Sequence, residues 1–137
     1  MKTLHTAYRV ADLQISRAFY TTLGYREVGR VDIGDGASLT MLKFPDDEIV
    51  TLELVHRPAA GAVEIGSGFS CLVVQVDDIA AAIEALTQAG LRPGPLEQPG
   101  GPDGPKTSWL TDPDAYRIEL VQWPPGHPDG MTHADFT

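Results

Sequence analysis

Laid over itself with Asp12 on Asp78, the sequence matches at its punctuation: Val10 with Val76, Gly24 with Gly90, Arg26 with Arg92, Asp46 with Asp112, Pro58 with Pro124. The tripeptide Glu53-Leu54-Val55 falls on Glu119-Leu120-Val121 without a gap. A repeat of this length makes the chain two copies of one supersecondary unit, so an element assigned to one half should recur in the other.

The repeated residues have a local physical meaning. Leu4 to Val10 is an apolar, aromatic-containing run suited to a strand. Asp12 follows where a helix N-cap belongs, and Ile15, Phe19, Thr22 and Leu23 recur at helical spacing up to the stop at Gly24. The second half offers a strand over 70–76, a cap at Asp78, apolar Ile79, Ile83 and Leu86, and a stop at Gly90. Asp35-Gly36 is a hairpin turn between strands over 27–33 and 37–44. Pro45-Asp46-Asp47 turns the chain into a strand over 49–55, and Thr111-Asp112-Pro113-Asp114 turns it into one over 116–121.

Each half therefore reads β-α-β-β-β. The predicted class is α+β, with a first module over 1–58, a linker over 59–66, a second module over 67–123 and a tail over 124–137, together one structural domain. Arg92 to Pro105 is rich in proline and glycine and reads as a long loop. The tail, also Pro- and Gly-containing, reads as either mobile or docked on a partner.

Composition narrows the class of partner. The 137 residues are 42% hydrophobic and 21% charged, which is globular, and the formal net charge of −9 repels phosphate backbones, so no nucleic-acid partner is expected. No apolar run is long enough for a membrane span, so no membrane partner is expected either. A single cysteine, Cys71, fits a reducing, cytoplasmic setting. What remains is an enzyme or a small-molecule binder.

Side chains alternate along strands, so spacing assigns faces. Leu4, Thr6, Tyr8 and Val10 oppose His5, Ala7 and Arg9; Leu52 and Leu54 oppose Glu53, Val55 and Arg57. In the second half Leu72, Val74 and Val76 oppose Cys71, Val73 and Gln75, while Ile118 and Leu120 oppose Arg117, Glu119, Val121 and Trp123. One face suits packing under a helix. The other places two glutamates at equivalent repeat positions, each between leucine or isoleucine neighbours. Burying an unpaired carboxylate would cost several kcal/mol. Two readings stand open: half of a metal cage completed by His5, or ordinary ion pairs with Arg9, Arg57 or Arg117.

The stretches LHTAYRVADLQISRAFYTTLGY (residues 4–25), TLELV (51–55), the strand start over 66–76 and TDPDAYRIELV (111–121) carry a resemblance over nearly the whole chain. The sequence resembles a glyoxalase I-type, lactoylglutathione lyase-like member of the vicinal oxygen chelate superfamily. That resemblance implies two βαβββ modules forming a cupped, mostly antiparallel eight-stranded sheet, a divalent metal (Zn or Ni), and a homodimer that completes each site from both chains. It puts the metal ligands on His5, Glu53, Glu119 and position 71. The family carries histidine at that last position where this chain has Cys71, a softer ligand when ionised and otherwise a small hydrophobe.

His56 falls on the face opposite Glu53, and His127 and His133 lie in the tail, so none is a ready replacement. The resemblance also implies that Arg9 contacts a carboxylate of a glutathione-like thiol and that Arg57 stands where the family has asparagine; Gln75, on the polar face, and Trp109, as a pocket wall, are the other candidate substrate-binding residues. The implied reaction turns a 2-oxoaldehyde–thiol hemithioacetal, as in methylglyoxal detoxification, into a 2-hydroxyacyl thioester by proton shuttling through a metal-stabilised enediolate, with Glu119 as base. The alternatives are a metal-free small-molecule binding or resistance protein of the same fold, or a related metal-dependent epimerase or dioxygenase. Non-haem iron usually asks for two histidines and a carboxylate, which disfavours the dioxygenase.

Overall fold

A computed structural model describes every residue, Met1–Thr137. Two compact units divide the chain, Met1–Gly66 and Ser67–Thr137. The first unit contains β1 (Thr6–Val10), α1 (Leu13–Leu23), β2 (Arg26–Gly34), β3 (Ala37–Lys43) and β4 (Leu52–His56). The second contains β5 (Leu72–Gln75), α2 (Ile79–Gln88), β6 (Lys106–Thr111) and β7 (Arg117–Gln122). The α+β class follows as expected, with one helix and one mixed sheet per unit.

The repeated aspartates cap the helices. Asp12 Oδ1 accepts from the Ile15 amide at 3.1 Å, and Asp78 Oδ1 accepts from the Ala81 amide at 3.0 Å. Gly24 ends α1 at φ 125°, its amide turned back to the carbonyls of Tyr20 and Thr21. A Cβ there would also meet the Phe44 ring at 3.3 Å. Asp35 and Gly36 both adopt positive φ, 53° and 75°, as a tight hairpin between β2 and β3 requires.

Strand order is β1-β4-β3-β2 in the first sheet and β5-β7-β6 in the second. The first and last strands of each unit pair in parallel, β1 with β4 and β5 with β7, and the remaining pairs are antiparallel. Seven strands form, not the eight implied by the resemblance. The missing one is the second-unit counterpart of β2. Its segment is tied to β6 by the Glu97–Thr107 bridge, by the Gly94 amide, which donates to the Trp109 carbonyl at 2.8 Å, and by the Ser108 hydroxyl, which donates to the Gly94 carbonyl at 2.8 Å. Pro93, Pro95, Pro99, Pro102 and Pro105 have no amide hydrogen to donate, so a ladder cannot extend along it.

Tyr8, Val10, Tyr20, Leu42, Leu52 and Leu54 are buried in the first unit, with the Tyr8 and Tyr20 hydroxyls hydrogen-bonded to each other. Val74, Ile79, Leu86, Leu110, Ile118 and Leu120 are buried in the second. Gln122 at the end of β7 accepts from the Ile79 amide at 2.9 Å and so ties the last strand to the start of α2. No helix is long and apolar enough to cross a membrane.

The turn before β7 is built around Asp112, only 5% exposed, whose Oδ1 accepts from the amides of Asp114 and Tyr116 at 2.8 Å each. Inside it Ala115 is held at φ 74°, a left-handed conformation that costs an alanine but not a glycine. Ala115→Gly is therefore expected to raise unfolding stability by about 1 kcal/mol. Urea denaturation checks this: a shift of the midpoint to higher urea is expected, and a lower midpoint would contradict it.

Candidate functional site

Parallel pairing positions the first set of functional side chains. Ala7 lies opposite Glu53, and His5, two residues before Ala7, shares its face. His5 Nε2 and Glu53 Oε2 meet at 2.7 Å, with the side chains 24% and 14% exposed. This is a nitrogen and an oxygen donor from two chain segments, converging at the edge of the β1–β4 pair.

The second unit repeats the arrangement. Val73 lies opposite Glu119, and Cys71, two residues before Val73, stands where His5 stands in the first unit. Cys71 Sγ is a half-buried free thiol, with the Ser70 hydroxyl 4.0 Å away. On its other side Glu119 faces Trp109 of β6 across the antiparallel pair. The Arg117 guanidinium lies over the Trp109 ring, 4.1 Å from its centroid.

The arginines do not neutralise the glutamates. Glu53 pairs with His5, Arg117 sits on Trp109, and Arg9 donates to the carbonyls of Gly61 and Ala62 at 3.2 and 2.8 Å. Arg57 is exposed at the start of a short 3₁₀ turn, Pro58–Ala60. Of the two readings open from sequence, ordinary arginine ion pairs are not what forms. Neither unit by itself gathers three or more His, Cys, Asp or Glu donors. The first brings His5 and Glu53 into contact, and the second places Cys71 and Glu119 at the matching register positions.

Gln75 stands at the end of β5 on the face that carries Cys71, and its amide is held at both its oxygen and its nitrogen. Its Oε1 accepts from the Trp123 indole N–H at 2.8 Å and the Gly130 amide at 3.0 Å, while its Nε2 donates to Asp129 at 2.6 Å. Pro124–Thr137, expected to be mobile or held by a partner, instead folds back onto its own unit. His127 stacks on Trp123 and meets Asp135 at 2.7 Å. Sequence reasoning missed this arrangement; the Thr132-x-x-Asp135 spacing of a capping box was the available signal. His56 lies on the opposite side of the first sheet from Glu53, lining an open cleft of about 490 Å³ with Leu13, Gln14, Arg30, Asp32 and Ser38.

Residues 2–120 match the family described as the Glyoxalase/Bleomycin resistance protein/Dioxygenase superfamily. The chain belongs to this superfamily. Among its relatives, lactoylglutathione lyase of Salmonella typhimurium is 33% identical over 128 residues, covering 89% of this chain and 93% of that protein. A probable chloroplastic lactoylglutathione lyase of Arabidopsis thaliana is 31% identical over 126 residues, covering 88% of this chain; the chain spans only 35% of that protein's length. A crystal structure of a glyoxalase I variant from Zea mays superposes with a TM-score of 0.76 at 26% identity, over 87% of this chain and 44% of that one.

The Arg9 contacts predict a local effect. Arg9→Ala removes two charge-assisted hydrogen bonds to the 61–62 backbone, worth about 1 kcal/mol at this half-exposed position. Limited proteolysis should show faster cleavage within residues 59–66 than in wild type, and an unchanged rate would contradict the assignment.

Proposed function

We propose that this chain is a glyoxalase I-like lyase that isomerises a 2-oxoaldehyde–thiol hemithioacetal to a 2-hydroxyacyl thioester. The observation that carries the reading is the register-matched recurrence of donor positions: His5, which meets Glu53, stands two residues before Ala7, and Cys71 stands two residues before Val73, which lies opposite Glu119. The similarity to lactoylglutathione lyases supports the substrate class. We propose further that the working form is a cytoplasmic homodimer, with the donors of one cation drawn from one polypeptide or from two.

The donor set fits a divalent cation such as Zn²⁺ or Ni²⁺. His5 and Glu53 already converge, and imidazole nitrogen with carboxylate oxygen is a common pairing for these metals. His5, Glu53 and Glu119 would hold the ion, with Cys71 as a fourth ligand in its thiolate form. Bound there, it acts as a Lewis acid on neighbouring substrate oxygens and lowers the cost of removing a proton from the carbon beside a carbonyl.

The proton transfer falls to the chain's own residues. Glu119 accepts the proton from the hemithioacetal carbon and returns it to the adjacent carbon, while the hydroxyl proton passes to the neighbouring oxygen. Nothing is oxidised overall, and Glu119 ends as it began. Trp109, directly across from Glu119 and covered by Arg117, walls that carboxylate on one side. Arg9 and Arg57, on the Glu53 face by strand alternation, offer guanidinium groups to carboxylates of the thiol. Gln75 can serve the substrate only when the Pro124–Thr137 segment lets go of it.

Cys71 is the observation that favours a second reading, a metal-free binding protein of the same fold. Metal analysis after reconstitution with Zn²⁺ and Ni²⁺ separates the two. The lyase reading expects a near-stoichiometric ion, lost in His5→Ala, and thioester formation from methylglyoxal and glutathione. Glu119→Gln should lower turnover by about 10²-fold or more. A protein that takes up no metal, or a Glu119→Gln variant with full turnover, would contradict it.

A further inference from the structure

The Pro124–Thr137 segment has a titratable contact at His127. His127 stacks on Trp123 with centroids 4.6 Å apart and planes 16° from parallel. Both its ring nitrogens face acceptors: Nδ1 lies 2.6 Å from the Pro128 carbonyl oxygen, and Nε2 lies 2.7 Å from Asp135 Oδ1. A carbonyl oxygen cannot donate. Asp135 is arranged as an ionised acceptor, since its Oδ2 takes the Thr132 amide at 2.6 Å and the Thr132 hydroxyl at 3.2 Å. Both contacts are hydrogen bonds only if both ring nitrogens carry protons. A neutral imidazole would turn one of them into two lone pairs face to face.

We propose that Pro124–Thr137 is a pH-operated strap, fastened over the end of the Glu119-bearing face while His127 is an imidazolium and released when it loses a proton. The anchor is Gln75, whose amide binds Trp123, Asp129 and Gly130 together. Gln75 and Trp123 share a strand face with Glu119 by alternation, so the strap crosses that face at its end. Release frees the Gln75 amide and the indole N–H for another partner. The proposal concerns this segment alone and stands whether or not the chain is a lyase.

Asp135 is the charged group that meets His127. The segment brings Asp129, Asp135 and a second histidine, His133, while the strand ends contribute Gln75 and Trp123, neither of which titrates here. Beyond β5 the chain continues through Asp77 and Asp78, the latter capping α2. The Pro128 carbonyl, and then Asp135, raise the His127 pKa above the ordinary histidine value. The Thr132 amide, and then His127, hold Asp135 below the ordinary aspartate value. A raised histidine contributes fully below its unfolded value and is lost as pH rises through its folded one. A depressed carboxylate is lost as pH falls through its folded one. The strap is therefore closed between the lowered aspartate and the raised histidine values, and opens above the latter.

Nuclear magnetic resonance of the full chain from about pH 5 to about pH 9 tests this. The Trp123 indole N–H and the Gly130 amide should shift together with the His127 ring, at one midpoint above the ordinary histidine value. The 124–137 amides should become mobile above it. His127→Gln and Asp135→Asn should leave the segment mobile at every pH, with the rest of the spectrum unchanged. Gln75→Ala should also release it and return the His127 midpoint toward the ordinary value. If the His127 ring titrates while Gly130 and Trp123 stay still, or if His127→Gln keeps the segment ordered, the strap is overturned.

Discussion

The parallel pairing of the first and last strands of each unit is the constraint on which the rest of the structure depends. Parallel neighbours require a long connection between them, and here α1 with β2 and β3, or α2 with β6, supplies it. Once β1 lies beside β4, Ala7 faces Glu53 and strand alternation brings His5 to the same side. Once β5 lies beside β7, Val73 faces Glu119 and Cys71 falls in the equivalent place. A slip of one residue in either pairing would turn its glutamate to the helix-covered face. The fully buried Leu52 and Leu54, or Ile118 and Leu120, would then have to take its place among polar neighbours. Apolar burial beneath the helix therefore also fixes where the carboxylates stand.

Much of this was legible in the sequence because the repeat makes each half test the other. Caps at Asp12 and Asp78, the hairpin at Asp35-Gly36 and the facing of Glu53 and Glu119 all follow from local rules, and they form as read. The loop read over 92–105 forms, whereas the eighth strand implied by the repeat and the resemblance does not. Its failure lies in the prolines between Arg92 and Pro105, which remove the amide hydrogens that a ladder needs. Arg9 does not pair with a glutamate, and its guanidinium donates to the carbonyls of Gly61 and Ala62, a contact that nothing in the sequence announced. No strand periodicity reports on a long side chain that reaches back to a linker.

The Pro124–Thr137 segment shows a different limit. Its proline and glycine content announces the lack of a regular element but says nothing of side-chain anchoring. Order there comes from a few polar contacts of high sequence separation, Gln75 to Asp129 and Trp123 above all. Such contacts have no period. Cys71 was legible as a departure from the family, and in the proposed site the choice of metal would turn on it, since a thiolate and an imidazole favour different cations.

The central claim is that the imidazole of His5 and the carboxylates of Glu53 and Glu119 serve a single divalent cation. A crystal structure of the protein reconstituted with Zn²⁺, with anomalous data collected at the metal edge, tests it most directly. The account predicts one strong peak per chain, bonded to His5 Nε2, Glu53 and Glu119, whether these come from one molecule or two. A peak touching only one of the two donor pairs, or none at either, would contradict it.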